Sequence, residues 1–443
     1  MQASSLRRAA RYRWPLLITL AVGVAAAFSL SPLVDVVQSH SPAAANLKTP
    51  FLYDVLAPAS NILDTLTLLS PAQYWATFAL CVVVFFAPGI ARDLRRPRGF
   101  RSLSTIISCL RFVGGTVAIV GIMLVLRRPM ASLSLQDPDL IAVDFHSHTS
   151  ASHDGRPDFD AERNREWHLS SGFNAAYITD HRTFEGALDA AERNPSVAGD
   201  GMTLLPGVEL RDGDEHPILL GANPSRTRLT SADLQGAMVE ADGGPVPPIL
   251  LLTMPGSIVR VPPSEYTGPI RLAGIEVSDG GPRGMAQAAR DKKGILALAD
   301  KLHLAPIAGS DNHGWGRAAP AWSVLRIPGW RRMTPASLDL AIRRTILARV
   351  PGTTDVIARR TVGPASGRVE AALGGVAVGS LMLRTMNLRD RLSWILWSWG
   401  AALLSLIRAR RTRRRLRIRV RETMGRRAPG PLIDAAAAVR GAS

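Results

Sequence analysis

Cysteine is almost absent from this sequence of 443 residues, which contains only Cys81 and Cys109. Both lie within long apolar runs, where they are most simply interpreted as packing groups that face lipid or a neighbouring helix. Two such residues cannot build a disulfide framework, and no CxxC pair is present. A disulfide-stapled fold and a CxxC metal site are therefore excluded.

The middle of the chain also lacks an excess of charge of either sign. The whole sequence carries +17, but residues 140–360 contain 24 basic and 26 acidic residues, which gives −2. The positive excess lies at the ends, with 13 basic against 6 acidic residues in 1–139 and 16 against 4 in 361–443. Because these ends border apolar runs, their charge is typical of membrane-orienting flanks. The charge does not predict a nucleic-acid-binding domain.

Long apolar runs are present at both ends of the chain. About twenty apolar residues cross the hydrocarbon core of a bilayer as a helix. The runs are residues 15–34, 72–91, 104–126 and, shorter, 392–407. The sequence thus predicts three transmembrane helices within 1–139, and a C-terminal membrane segment with an Arg-rich cytoplasmic tail within 361–443.

Basic clusters beside these runs predict their orientation. Arginines crowd residues 7–13, 92–101 and 408–421, whereas the loop 35–71 carries Lys48 as its basic residue. If positive flanks remain in the cytoplasm, both termini are cytoplasmic and the large middle region is extracytoplasmic. The expected location is therefore the cell membrane, with several crossings.

Three alternatives stay open for the ends of the chain. Residues 15–34 could be a cleavable signal, since a basic stretch precedes them and small residues lie within them. The segment 408–421 could contact RNA or anionic lipid, although a stop-transfer flank is favoured. One of the segments 369–383 and 392–407 is expected to cross, and the other to be interfacial or re-entrant.

Between residues 140 and 360 short apolar runs alternate with amphipathic stretches. Seven of the runs are typical of buried, parallel-type strands. They are LIAVDFH, AAYITDH, TLLPGVEL, HPILLGAN, PPILLLTMP, LAGIEVSDG and LAPIAGSDNH. Helix-like stretches such as 158–171 and 283–303 separate several of them. This alternation predicts an α/β fold, and seven strands in a region of this length favour a barrel over an open sheet.

Most of these runs end in a side chain that can bind a metal ion. In DFHSHTSASHDG, residues 144–155, His146 and His148 are two apart and can share one face of a strand. Further candidates at strand ends are Asp154, Asp180, His181, Glu209, His216, Glu276, Asp311 and His313. Buried and unpaired, such groups would each cost several kcal/mol. Because strand carboxyl ends converge on one face of a β/α barrel, the pattern predicts a metal centre there.

The motifs DFHSHTSASHDG, ITDH, PGVEL, HPILLG and AGSDNHG resemble the successive motifs of the PHP (polymerase and histidinol phosphatase) domain family. The resemblance covers about residues 143–330. It implies a distorted seven-stranded, TIM-like β/α barrel with two or three divalent ions at the strand carboxyl ends. Zn, Mn or Fe suits a site of imidazole and carboxylate. Family members are mostly phosphoesterases, so hydrolysis of phosphoric esters is the expected activity of 140–360.

The resemblance also implies a ligand set. The implied metal ligands are His146, His148, Asp154, His181, Glu209, His216, Asp311 and His313. The residues expected to be catalytic are Asp311, Glu209 and His313. A further His or Cys of the family is replaced here by Met254, and thioether sulfur is a poor ligand for a hard, hydrolytic ion. The number of ions therefore stays open between two and three.

Several neighbours of these motifs are secondary candidates. Arg182, Arg211 and Arg317 follow ligand motifs and could clamp a phosphate, although solvated or ion-paired arginines are an equal alternative. His153 could replace Asp154 as a ligand, but the motif register favours Asp154.

Four other residues are given weaker roles. Trp315 could wall the pocket or stack on a base, and core packing is an equal alternative. Glu276 is expected to pair with another group or to position a water. His168 and His303 lie in helix-like stretches and are expected at the surface or at helix ends.

The sequence thus predicts a metal-dependent phosphoesterase anchored in the membrane. Its substrates would be phosphorylated small molecules, glycans or lipid head groups, and membrane lipid would be a partner. Nucleic acid is not expected, and the oligomeric state is left open. Met254 motivates an alternative, a metal- or ligand-sensing protein on the same scaffold. A cytoplasmic nuclease would require the reversed orientation.

Overall fold

The computed structural model describes residues 12–93, 101–125, 128–210, 216–224, 245–254, 271–350 and 352–425. These residues form a mixed α/β domain around one large sheet, together with apolar helices near both ends of the chain.

Twelve strands occur in these described ranges. They are β1 (Leu33–Asp35), β2 (Ala45–Lys48), β3 (Ser132–Leu135), β4 (Leu140–Ser147), β5 (Ala175–Ile178), β6 (Thr203–Glu209), β7 (Ile218–Leu220), β8 (Ile249–Leu252), β9 (Arg271–Asp279), β10 (Ala305–Gly309), β11 (Ala321–Arg326) and β12 (Thr354–Arg359). Ten of them form one sheet in the order β1-β12-β11-β4-β5-β6-β7-β8-β9-β10, and β2 pairs with β3 in a second sheet.

Eleven α-helices occur in the same part of the chain. They are α1 (Arg13–Ala27), α2 (Phe51–Val55), α3 (Ala57–Thr67), α4 (Pro71–Asp93), α5 (Arg101–Val125), α6 (Ala161–Ser171), α7 (Glu185–Ala191), α8 (Pro282–Lys301), α9 (Pro335–Ala348), α10 (Arg368–Thr385) and α11 (Leu388–Gly425).

The large sheet curls until its last strand returns to β4. The residues that follow β10 bond to the end of β4: Asp311 N donates to His146 O at 2.8 Å, and His148 N donates to Asn312 O at 3.2 Å. The two segments therefore meet at the edge where the parallel strands end. This curled sheet is consistent with a TIM-like barrel.

The predicted α/β architecture is confirmed, but the sheet has ten strands rather than seven. The seven predicted runs form β4 to β10, and the additional strands β1, β11 and β12 pair in antiparallel fashion beside β4. Polar residues such as Ser323 and Asp355 interrupt β11 and β12, so neither stands out as an apolar run. The expectation of parallel strands is wrong for β7, which is antiparallel to both β6 and β8.

The interior of the curled sheet is apolar. Phe145 stacks on Tyr177 with ring centroids 5.6 Å apart, and both belong to a buried cluster that helix α9 joins through Leu338 and Ile342. A second cluster, which contains Trp167 and Trp322, packs α6 and α7 against the other face of the sheet. Packing on both faces explains why β4 is buried along its whole length.

The apolar helices differ in part from the predicted spans. Within the described residues, two helices are long and apolar enough to cross a membrane, with candidate spans Thr105–Ile122 and Leu388–Thr412. Of the residues in these two candidate spans, 0% and 6% are buried against the rest of the protein. The run 392–407 lies in the second span, whereas α10, which contains 369–383, does not meet the same criterion within the described residues.

The predicted span 15–34 begins in the shorter apolar helix Arg13–Ala27. The predicted span 72–91 lies within α4 (Pro71–Asp93), whose stretch Pro71–Ala87 is apolar. The first prediction is wrong in length, because Leu33–Asp35 leaves the helix and pairs with β12. Backbone pairing with the sheet thus outweighs the apolar character of the end of this run.

Candidate metal centre

Glu209 is at the centre of a cluster of histidines. It ends β6 and is 2% exposed. Its Oε2 atom lies 3.2 Å from Nε2 of His146, 3.2 Å from Nε2 of His148 and 3.2 Å from Nδ1 of His181. Its Oε1 atom lies 2.7 Å from Nδ1 of His216. One buried carboxylate therefore faces four imidazoles from three segments of the chain. His146 and His148 come from the end of β4, His181 follows β5, and His216 precedes β7.

Asp311 joins the cluster from the loop that follows β10. Its Oδ1 atom lies 3.6 Å from Nε2 of His146, 3.5 Å from Nε2 of His148 and 3.4 Å from Nδ1 of His313. Asp311 has a positive φ of 45°, a region that Asp tolerates better than most residues. This backbone conformation occurs in the loop that closes the curled sheet.

Asp154 lies at the more open end of the cluster. Its Oδ1 atom lies 3.2 Å from Nε2 of His313 and 3.4 Å from Nε2 of His181. The rings of His148 and His313 stack with centroids 3.9 Å apart. The structure thus brings together all eight residues that the sequence predicts as metal ligands. His153 lies beside them but is 66% exposed by its side chain, with Nδ1 3.7 Å from Asp154.

Two local features of the sheet explain this convergence. The register of the β4–β5 pairing shifts between Asp144 and Ser147. Such a bulge re-aims side chains, and here Asp144 bonds to helix α6 while His146 faces Glu209. The second feature is the antiparallel direction of β7, whose start lies beside the end of β6 and brings His216 to Glu209.

The donor set fits divalent metal ions. In the described part of the chain, Nε2 of His148, Nε2 of His313 and Nδ1 of His146 are buried without a hydrogen-bond partner. Five groups of ligand atoms lie within 4.8 Å of one another in the described residues, namely His146–His148–Glu209, His148–His181–His313, His181–Glu209–His216, His153–Asp154–His181 and His146–Glu276–Asp279. Imidazole nitrogen combined with carboxylate oxygen suits zinc, manganese and iron.

Without ions the cluster is held together by charge pairs. Burial alone would lower the pKa of His148, but the carboxylates of Asp311 and Glu209 raise it to about 9. Burial would raise the pKa of Glu209, yet His146 and the other imidazoles lower it well below its usual value. Burial lowers the pKa of His181 to about 4, against the opposing charge of Glu209. The cluster therefore combines protonated and neutral imidazoles.

His168 corrects an expectation. It is not a surface residue but is 0% exposed, and its Nε2 lies 2.8 Å from Oδ2 of Asp144. Oδ1 of Asp144 accepts from the backbone N of Ser310 at 2.9 Å, so the pair connects α6 to the loop that carries Asp311. The buried face of α6 consists of Asn164, Trp167, His168 and Ser171. This helical spacing is a sequence signal that could have placed His168 inside.

Two buried acidic side chains lie near Nδ1 of His146, the ring nitrogen that does not face Glu209. Oε1 of Glu276 lies 3.4 Å from Nδ1 of His146, and Oδ2 of Asp279 lies 4.0 Å from the same atom. Burial raises the pKa of both carboxyl groups. Glu276 therefore lies in a position to pair with a predicted ligand. Asp279 was not singled out from the sequence, although it also ends an apolar run.

Asp180 and Met254 lie outside the set of converging ligand atoms. Asp180 accepts hydrogen bonds from the backbone N of Thr149 at 2.6 Å and from Oγ of Ser152 at 2.9 Å, so it organises the loop after β4. Met254 is 1% exposed and belongs to an apolar cluster with Leu252. Its backbone N donates to Oε2 of Glu276 at 2.7 Å.

The remaining candidates lie around the rim. Arg182 is half-buried, has a φ of 57° and donates its backbone N to Glu209 O at 2.9 Å. Arg317 lines a cleft on the outside of the curled sheet. Trp315 is 48% exposed, with the guanidinium of Arg156 5.3 Å from its ring centroid. Arg211 lies outside the described residues.

His303 is exposed and lies two residues beyond α8, at the surface and near the helix end, as the sequence predicted. It does not approach the metal-ligand cluster in any contact that the structure gives.

Comparisons with known proteins leave the family open. No family model matches the sequence. No curated protein sequence matches it either. Among solved structures, PsfC from Pseudomonas syringae is 16% identical, with 56% of this chain and 99% of that one covered and a TM-score of 0.34.

Two further structures are similar at the same level. A two-domain protein from Bacteroides vulgatus, containing a predicted PHP-like metal-dependent phosphoesterase, is 17% identical over 49% of this chain and 64% of its own, with a TM-score of 0.32. An amidohydrolase from Chromobacterium violaceum, with bound sulfate and no metal, is 18% identical over 51% and 98%, with a TM-score of 0.30. Scores of this size do not assign the chain to a family.

Proposed function

We propose that residues 140–360 are a metal-dependent phosphoesterase and that the apolar helices anchor it in a membrane. The single observation that carries the proposal is the surrounding of Glu209 by His146, His148, His181 and His216. Buried imidazoles placed around a buried carboxylate are typical of a hydrolytic metal centre.

The ligand cluster has a fully buried side and a partly exposed side. The side chain of His148 is 0% exposed, whereas those of Asp311 and His313 are 19% and 17% exposed. The ligand cluster would hold the ions, and the substrate would approach from the side of Asp311 and His313. Divalent ions bound here would act as Lewis acids that activate water and neutralise phosphoryl oxygens.

His313 is the proposed proton carrier on the open side. Its Nδ1 lies 3.1 Å from the backbone O of Asp311, which fixes a tautomer with hydrogen on Nδ1. Burial lowers the pKa of His313, so the ring is neutral near pH 7. Its Nε2 then keeps a lone pair that can serve as a ligand, or that can accept a proton from the attacking water and pass the same proton to the leaving oxygen.

The choice of phosphoric esters rests on the order of the sequence motifs and on the arginines of the rim. Arg182 directly follows His181, and a guanidinium can bind two phosphate oxygens at once. Phosphorylated small molecules, glycans and lipid head groups remain the proposed substrates. Amide hydrolysis is the competing outcome of the test below.

The test uses the full chain purified in detergent. We expect at least two ions of Zn, Mn or Fe per chain by elemental analysis, and release of phosphate from an aryl phosphate. Glu209→Gln should lower the ion content and reduce turnover by at least about 100-fold, because it removes an inner ligand, whose effect exceeds that of outer-shell groups. The exposed Glu370→Gln is the matched control.

A chain that binds ions and hydrolyses amides but no phosphate ester would replace the proposed substrate class. Met254 favours a second candidate, the metal- or ligand-sensing protein, because the position of an expected ligand is occupied by an apolar core residue. Bound ions without turnover of either ester or amide would support that candidate and overturn the enzyme.

A further inference from the structure

A cleft of about 580 Å³ lies on the outside of the curled sheet, separate from the interior of the metal centre. Its walls come from α6, from the segment 156–159, from residues 48–50 and from the segment that follows α5. A volume of this size is within the range of small-ligand pockets, about 300–1,000 Å³. The cleft is therefore large enough for a polar head group.

Basic side chains outnumber acidic ones among the residues that line the cleft. Five are basic, namely Lys48, Arg128, Arg156, Arg163 and Arg317. Two are acidic, namely Asp158 and Glu166, so the lining has a formal excess of three positive charges.

These cations are held in different ways. Arg128 pairs with Asp64, and Nε of Arg156 lies 2.5 Å from Oδ1 of Asp158. The side chain of Arg163 is 40% exposed, and its Nη1 lies 3.9 Å from Oδ2 of Asp158. Lys48 is also exposed. Lys48 and Arg163 can therefore turn toward an anion without first breaking a short ion pair.

The position of the cleft along α5 places it next to a membrane surface. The candidate span Thr105–Ile122 is 0% buried, and apart from Phe112, which packs on phenylalanines of α4, most of its side chains are exposed. Val125, three residues beyond Ile122, already lines the cleft. Three helical residues rise about 4.5 Å. The head-group layer on each side of a bilayer is about 5–7 Å thick.

The cleft also borders the back of the metal centre. Gly314, which lines it, directly follows His313, and Arg156 N donates to His313 O at 2.9 Å. A ligand in the cleft would thus contact the loop that carries a predicted metal ligand without entering the ligand cluster.

We propose that this cleft binds the phosphate-bearing head group of an anionic membrane lipid. Three features favour a lipid head group over a free solute. The cleft lies at the height of the head-group layer, its lining has an excess of positive charge, and its volume is large enough. This binding rests on the membrane insertion of α5 proposed above, but it does not require phosphoesterase activity. Binding of the lipid would hold the outer side of the curled sheet, where the cleft lies, against one leaflet of the membrane.

The test titrates the full chain in detergent with short-chain phosphatidic acid, short-chain phosphatidylcholine and inorganic phosphate, measured by calorimetry. We expect phosphatidic acid to bind at least tenfold more tightly than either of the others. The double variant Lys48→Gln/Arg163→Gln should weaken it by about fivefold per removed charge. The matched control is Arg290→Gln/Lys292→Gln on α8, away from the cleft.

Three outcomes would overturn the proposal. They are equal binding of the two lipids, equal loss in the control variant, and competition by inorganic phosphate at the same concentration, which would indicate a free-phosphate site. Unchanged melting temperature and metal content of the double variant show that a loss of binding is not a loss of fold. Alkaline extraction of membranes tests insertion separately, and turnover of the aryl phosphate tests the enzyme separately.

Discussion

Individual residues around His146 show how the metal-ligand cluster depends on groups that do not belong to it. Nε2 of His146 faces Glu209, whereas Nδ1 lies 3.4 Å from Oε1 of Glu276. Nδ1 has no hydrogen bond in this arrangement, but a buried carboxylate beside the second nitrogen of a histidine ligand favours hydrogen on that nitrogen and thereby orients the ring. Glu276 is therefore interpreted as a positioning residue for His146.

Replacing Glu276 by Gln tests this role. The neutral amide cannot support the imidazole as a carboxylate does, so metal affinity should fall by about 10–100-fold. The measurement is competition with a chelator, and the KM for an aryl phosphate should change less than kcat. Glu370→Gln is again the control. Unchanged metal affinity in Glu276→Gln would show that the contact with His146 is incidental.

The raised pKa of His148 gives the metal-free chain a defined pH dependence. Its pKa is about 9 in the folded state, and an unfolded histidine titrates near 6.5. The imidazolium therefore contributes stability that is fully present below about pH 6.5 and is lost as the pH rises through about 9.

The metal-free chain should accordingly unfold at a lower denaturant concentration at pH 9 than at pH 6.5. Metal binding at pH 7 should release protons, because an ion must displace the proton of His148. Calorimetry in two buffers of different ionisation enthalpy measures that release. Equal apparent heats in both buffers would contradict the protonated state of His148.

At the scale of elements, the sequence predicted the strands that are mostly apolar. β4 to β10 were found because most of their residues are buried, which produces a short apolar run in each. β11 and β12 were missed because their antiparallel pairing, of β11 with β4 and of β12 with β11, is a long-range property, and polar residues interrupt their local pattern. Local patterns cannot carry information on pairing partners.

The candidate ligand set was predictable for a related reason. His146, His148 and Asp311 each end or follow an apolar run, so their place at one edge follows from strand direction alone. The role of His168 needed the contact between α6 and Asp144, and that of Glu276 needed the depth of His146 in the curled sheet. Contacts of this kind depend on packing, not on spacing.

Two glycines of α10 offer an element-scale prediction with its own control. A Cβ at Gly375 would lie 2.8 Å from the backbone O of Ala76 and 2.9 Å from Cβ of Leu80 on α4. A Cβ at Gly379, one turn later, meets nothing within 4 Å. Close approach of helices through small residues is common between membrane helices.

We expect Gly375→Ala to destabilise the chain by about 1–3 kcal/mol, because α10 must move away from α4. Gly379→Ala should be neutral or stabilising by up to about 1 kcal/mol, since alanine favours a helix interior. Thermal unfolding in detergent compares the two variants. Equal melting temperatures would show that α10 and α4 do not pack in solution as they do here.

At the scale of the whole molecule, the helices and the curled sheet share one framework. Strand β1 follows α1 and pairs with β12, and Arg359 at the end of β12 lies 2.7 Å from Oδ2 of Asp64 on α3. Asp64 also accepts from Arg128, which follows α5. The segment 33–69 and the curled sheet are therefore expected on the same side of a membrane.

The orientation proposed for the chain can be tested by fusions of a reporter enzyme that is active only outside the cytoplasm. A fusion after Ser134, in β3, should be active, because the positive flanks 7–13 and 92–101 favour the cytoplasm and leave the curled sheet outside. A fusion after Gly425, beyond the span Leu388–Thr412, should be inactive. A cytoplasmic reporter with the opposite requirement serves as the control for expression.

Reversed activities at the two positions would place the metal centre in the cytoplasm and its substrates among cytoplasmic phosphate esters. Activity at both positions would mean that Leu388–Thr412 does not cross, and that the Arg-rich end lies outside with the sheet.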